Sequence, residues 1–155
     1  MARNAEFDHR ILAASRYIAG GSAITLDKDI HGGKTIQLDT AAGTTVTLPT
    51  STGSGVRFYF CTSVIATSNS HVVKVGNATD VMTGSLNVVD NADGTCTAFG
   101  TVAASDTITL NRTTTGSVKI GEYFWVEDVK AGYWAVGGTV IGTGSEATPF
   151  SAAVS

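Results

Sequence analysis

The sequence predicts an all-β fold, an antiparallel β-sandwich or barrel of about ten short strands preceded by an N-terminal arm. Three observations carry this reading. The chain of 155 residues contains 23 Thr, 18 Gly and 13 Ser, so poor helix formers dominate it. Only 15% of residues are charged while 43% are hydrophobic, which excludes both a solvated helical bundle and disorder through lack of apolar surface. From Ser22 onward, apolar residues alternate in short runs separated by Gly, Asp, Asn and Ser.

The first 20 residues differ from the rest and are assigned to the arm, with 21–155 as the β domain. Phe7, Ile11, Ala14 and Ile18 recur at helical spacing. Asn4 suits a cap, Glu6 and Arg10 form an i,i+4 pair, and Gly20-Gly21 would stop the helix and detach it. A helix of about 15 residues is marginal alone in water, so its stripe must rest on something. One reading packs it on its own domain; the other docks it, helical or extended, on a neighbouring subunit. Arg3, Arg10 and Arg16 occupy its other positions and can meet acidic groups on such a partner.

Within the β domain, Ile24-Thr25-Leu26, Ile36-Gln37-Leu38 and Val46-Thr47-Leu48 recur at intervals of 10–12 residues, the spacing of a meander or a sandwich edge. Asp27–Gly33 reads as a turn between the first two. Thr50–Gly55 reads as a flexible loop. It is followed by Val56–Cys61, in which Val56, Phe58 and Phe60 share the core face. His71–Val75 is the next strand. Leu86–Val89 pairs with Thr95–Phe99 through the turn at Asp90–Gly94. After Thr107–Asn111, a final hairpin joins Glu122–Val129 to Tyr133–Ile141 through Lys130-Ala131-Gly132. Alternation along it puts Phe124 and Val126 on one face and Tyr123 and Trp125 on the other, so both faces carry bulk. This fits a two-sided core, or a core face backed by a subunit interface; a sugar-stacking platform is the alternative.

No catalytic residue is assigned. His9, His31 and His71 lack ligand spacing, so no metal is expected, and no cofactor-binding motif appears. Asp27-Lys28-Asp29 opens like a calcium loop, but the twelfth position is Leu38 instead of a bidentate Glu. Glu122 and Glu127 are an odd number of residues apart, so a regular strand sends them to opposite faces and no facing glycosidase pair forms. Cys61 and Cys96 read as free thiols, with a disulfide as the rarer alternative. A net charge of −3 gives no pull toward nucleic acid, and no apolar run is long enough to span a membrane as a helix. The N-terminal stretch lacks a secretory pattern, so synthesis in the cytoplasm is expected.

The ordered segments Gly33-Lys34-Thr35-Ile36, Thr45–Pro49, Gly53–Phe60, Val73–Asp80, Ser105–Leu110, Thr115-Gly116, Glu127–Val136 and Gly142–Phe150 resemble small β-rich virion proteins of tailed bacteriophages. The likeness extends over most of residues 20–151 and is a pattern of strands and turns, not a catalytic signature. It implies a capsid decoration (cement) protein on the virion surface, made in the host cytoplasm. Its implied partners are the major capsid protein and itself, as a homo-oligomer and commonly a trimer, with N-terminal arms reaching over the shell. The partner-binding residues expected on the arm are Phe7, Ile11, Ile18, Arg3, Arg10 and Arg16. A receptor- or carbohydrate-binding β module of the virion is the rival class, and an enzyme ranks third.

Overall fold

The structure, a computed structural model, describes residues 16–154. These residues form two β-sheets packed face to face. The strands are β1 (Tyr17–Ala19), β2 (Ala23–Thr25), β3 (Thr35–Leu38), β4 (Thr45–Thr47), β5 (Arg57–Thr62) and β6 (His71–Lys74). They continue with β7 (Val81–Asp90), β8 (Cys96–Gly100), β9 (Thr107–Leu110), β10 (Tyr123–Lys130), β11 (Tyr133–Gly142) and β12 (Phe150–Ser151). One sheet has the order β1-β3-β5-β10-β11-β7-β8, and the other β12-β9-β6-β4-β2. A β-sandwich is the expected class, and it is what forms.

The sheets are mixed, not antiparallel. Successive strands from β1 to β6 alternate between the two sheets, so each returns beside the strand two before it and runs parallel to it. Tyr17–Ala19 pairs with Thr35–Gln37, Thr35–Leu38 with Tyr59–Thr62, and Ala23–Thr25 with Thr45–Thr47, all in parallel. The three apolar triplets that suggested a meander are thus divided between layers. Their regular spacing reflects chain crossing the sandwich. After β6 the pairing becomes mainly antiparallel, including the two hairpins β7–β8 and β10–β11 that the turn residues predict.

Parallel and antiparallel registers together stack inward-facing residues into rows. Ile18, Ile36, Phe60 and Phe124 follow one another across the larger sheet, and Ile24, Val46, Val73, Ile108 and Phe150 across the smaller. Between them lies a core holding Trp134, Phe58, Phe60 and Phe124, none more than 1% exposed. Phe60 and Phe124 stack with centroids 4.9 Å apart. Burying side chains of this size contributes about 1.5–3 kcal/mol each, which is why the strand pattern wins over any local alternative.

Three local expectations need correction. Asp27–Gly33 contains a one-turn helix, α1 (Lys28–His31), because the Asp27 carboxylate caps it by accepting from the Asp29 and Ile30 N–H groups at 2.9 and 3.0 Å. Ile18 does not end an arm helix. It lies in β1, half-buried against this domain's own core. Gly20-Gly21 forms the corner between β1 and β2, with Gly20 N–H on the Gln37 carbonyl and Gly21 N–H on Asp39. The β domain therefore includes β1.

Candidate interaction surface on the seven-stranded sheet

The side chains opposite the core define the outer face of the larger sheet. Alternation along β5 buries Phe58 and Phe60, which leaves Arg57, Tyr59 and Cys61 outward; along β10 it buries Phe124 and Val126, which leaves Tyr123, Trp125 and Glu127 outward. Pairing aligns Tyr17, Thr35, Tyr59, Trp125 and Gly137 in one row across five strands, and Ala19, Gln37, Cys61, Tyr123 and Thr139 in the next. The result is an aromatic surface on rigid backbone.

Its contacts are specific. Tyr59 and Tyr123 stack at 5.8 Å between centroids, and the Arg57 guanidinium lies 4.3 Å from the Trp125 ring centroid. Arg57 Nε also donates to Glu127 at 2.6 Å, and that bond raises the guanidinium's already high pKa. Burial lifts the Tyr123 phenol above its ordinary value, as it does the neighbouring Cys61 thiol. Trp125 lies flat because residue 137 is glycine: a Cβ there would sit 2.5 Å from the indole Cζ2. Beside Trp125 and Tyr123 opens a groove of about 570 Å³, whose other walls include Ile120, Thr139 and Ile141. Tyr17 is 61% exposed, Ile120 70% and Tyr123 41%. This face is apolar, shallow and open to solvent.

The buried acids serve a different purpose. The Asp128 side chain has no exposed surface, and accepts from Lys28 Nζ at 2.6 Å, from the N–H groups of Thr52, Gly53 and Ser54, and from the Thr52 and Ser54 hydroxyls. Burial alone would raise this carboxyl, but Lys28 and these donors hold it well below the usual carboxylate range. The segment read as a flexible loop is thereby stapled to β10. Glu122 accepts from the N–H groups of Ser117, Val118 and Lys119 at 2.6–2.7 Å. Burial pushes its pKa up, against the pull of those donors. Asp80 accepts from Ser51 N–H, and Asp106 from Ala153 and Val154 N–H. Each carboxylate closes a loop, and Glu122 also lines the groove beside Tyr123 and Trp125 while its oxygens are taken up by the 117–119 N–H groups.

Glu122, just before β10, is buried against residues 117–119, while Glu127 lies on the outer face paired with Arg57. His71 is wholly buried, accepting from Thr44 N–H at Nδ1 and facing the Val64 carbonyl at Nε2. Among the described residues no three His, Cys, Asp or Glu side chains gather to hold a metal. Cys61 and Cys96 are free.

The expected arm residues divide. Ile18 is part of the sheet, and Arg16 is exposed, its carbonyl accepting from Thr35 N–H at 2.9 Å. Phe7, Ile11, Arg3 and Arg10 lie outside the described residues. Tyr17, Arg57 and Tyr59 belong to the outer face but were not among the expected partner-binding residues. Alternation about Phe58 and Phe60 carried the signal for the last two. No family model, curated protein or solved structure matches this chain.

Proposed function

We propose that the chain is a structural virion protein of a tailed phage, a decoration or cement protein that binds and stabilises the capsid shell as a homo-oligomer. The observation that supports this most is the outer face of the seven-stranded sheet, with Tyr17, Tyr59, Tyr123 and Trp125 arrayed on a stapled β framework. A cement protein needs no reaction chemistry. It needs rigid contact area, and aromatic side chains supply such area at low entropic cost. Few Lys and Glu residues lower the entropy lost when a surface is ordered. The N-terminal arm contributes a second contact on the shell or on an oligomer mate, and many weak sites sum over the lattice by mass action.

Cosedimentation with expanded, undecorated shells tests this reading. Saturable binding at a fixed ratio to the major capsid protein, with a raised shell melting temperature, is expected. Failure to bind expanded shells overturns it. The patch formed by Tyr59, Tyr123 and Trp125 also suits stacking on sugar rings, so a carbohydrate-binding module of the virion is the second reading. Titrating Trp fluorescence with host polysaccharide distinguishes the two, because a cement protein gives no saturable change.

A further inference from the structure

The edge of the seven-stranded sheet at β8 is a second open surface, distinct from the aromatic face. We infer that β8 pairs antiparallel with β8 of a second copy about a two-fold axis through Ala98, so that the two seven-stranded sheets become continuous. The inference deepens the homo-oligomeric part of the proposed function by naming a contact, and it does not rest on the capsid.

The backbone supplies the first argument. Asp90 N–H donates to the Thr95 carbonyl, and Thr101 N–H to the Gly84 carbonyl. Those bonds close the two ends of an antiparallel ladder in which Leu86 lies opposite Phe99 and Val88 opposite Thr97. Hydrogen-bonded and non-hydrogen-bonded pairs alternate along such a ladder. Thr95, Thr97, Phe99 and Thr101 therefore turn their N–H and carbonyl groups toward β7, and Cys96, Ala98 and Gly100 turn theirs away. Among the described residues no strand pairs with that row.

Nothing guards this edge. Sheet edges are commonly blunted by short strands, charges, prolines or bulges. The other edge strands, β1, β2 and β12, have three, three and two residues, whereas β8 has five. Residues 95–105 contain neither a charged residue nor a proline. The register that pairs Ser85 with Gly100 through Val89 with Cys96 has no bulge.

Self-complementarity selects the partner. An edge without charge does not repel its own copy, and it offers nothing to a partner recognised by charge. Only a two-fold through Ala98 engages all three outward residues of both copies. It sets Cys96 opposite Gly100 and Ala98 opposite Ala98 on the outer face, where small side chains do not obstruct. On the core face it sets Thr97 opposite Phe99. An aromatic beside a β-branched residue is a favoured cross-strand pair, and it covers Phe99, which packs on the core but is only half-buried. β8 lies three strands beyond β10, so this contact leaves the aromatic face free.

Gly100→Cys in a Cys61→Ser background tests the pairing. A Cβ at residue 100 has nothing nearer than the Gly84 carbonyl oxygen at 4.0 Å, so the side chain fits. In the dimer the new thiol faces Cys96 of the second copy with Cα atoms about 5.5 Å apart, within disulfide reach. Within one chain the two positions lie about 13 Å apart along the strand, beyond that reach. Purified full-length protein, with no shell present, is oxidised with copper–phenanthroline, run on a non-reducing gel and mapped by peptide mass. Gly100→Cys should give dimers linked from Cys96 to position 100, while the Cys61→Ser parent stays monomeric on the gel. Ala98→Pro, which removes only an outward N–H, should keep the strand circular dichroism and halve the mass in light scattering. No linkage by Gly100→Cys overturns the proposal, whether the edge is then bare, covered by residues 1–15 or reserved for a strand of another protein. Equal linkage by the parent, links joining position 100 to position 100, or an unchanged mass for Ala98→Pro overturn it too. Because shells take no part, failure here is distinct from failure of the cosedimentation experiment.

Discussion

At the residue scale, two buried ionisable side chains hold loops by opposite means. Asp128 is ionised and surrounded by donors; His71 is neutral and fully committed to one acceptor and one donor. Replacing Asp128 with Ala leaves the Lys28 ammonium without its carboxylate and three loop N–H groups without an acceptor. Removing one partner of a buried pair costs about 3–5 kcal/mol. For a domain of this size that corresponds to a melting temperature lower by roughly 6–20 °C, to be checked by calorimetry. His71 governs the pH response. Burial holds its pKa below the ordinary value, against the pull of the Val64 carbonyl and the Asp39 charge. Between that lowered value and the unfolded value of about 6.5 the unfolded chain binds more protons, so stability rises with pH. Stability from this group is complete above about pH 6.5 and is lost as the pH falls below it. Urea midpoints should drop from pH 7.5 to 5.5 in the wild type, and His71→Gln should flatten that change.

At the element scale, the parallel junction of β7 and β11 depends on Gly84. Its φ is +135°, and a Cβ there would lie 2.1 Å from the Val136 carbonyl oxygen. Both the backbone region and the space exclude a side chain. Gly84→Ala should destabilise the domain by about 2 kcal/mol or more, measured as a lower urea midpoint. The outer face behaves differently, because its aromatics are spared from the core. Trp125→Ala should leave the strand circular dichroism intact while weakening self-association at least about tenfold, or 1.4 kcal/mol, in light scattering. An unchanged oligomer would mean that this face is not the contact.

At the scale of the whole molecule, the first strand of the sandwich is β1, so Tyr17–Ala19 belong to the β domain. Deleting residues 2–15 should leave the sandwich folded with its circular dichroism little changed. Extending the deletion to residue 19 removes β1, strips Ile18 from the core and exposes the β3 edge, at a further cost of about 1–3 kcal/mol. The shorter truncation should bind expanded shells at least about tenfold more weakly, read by cosedimentation. A truncated protein with unaltered occupancy on shells would remove the arm from the contact.

The sequence by itself determined the all-β class, most strands, both hairpins and which side of the strands around Phe58 and Phe124 faces the core. Those are short-range properties: period-two alternation in Arg57–Thr62 and Tyr123–Lys130, turn residues at Asp90–Gly94, and a shared burial preference for Phe58, Phe60 and Phe124. Only the tertiary structure decided the parallel pairings of β1 to β6, the joining of Ile18 to the sheet and the closure of residues 52–54 on Asp128. Parallel partners lie about 20 residues apart and are connected through the opposite layer, so no local pattern identifies them. Lys28 and Asp128 are 100 residues apart, and a loop rich in Ser and Gly looks the same in sequence whether or not a distant carboxylate holds it. The aromatic face lies between these cases. Alternation determined that Tyr123 and Trp125 point away from Phe124, but only strand order brought them beside Tyr59 and Tyr17, because adjacency across a sheet is set by long-range pairing of backbone.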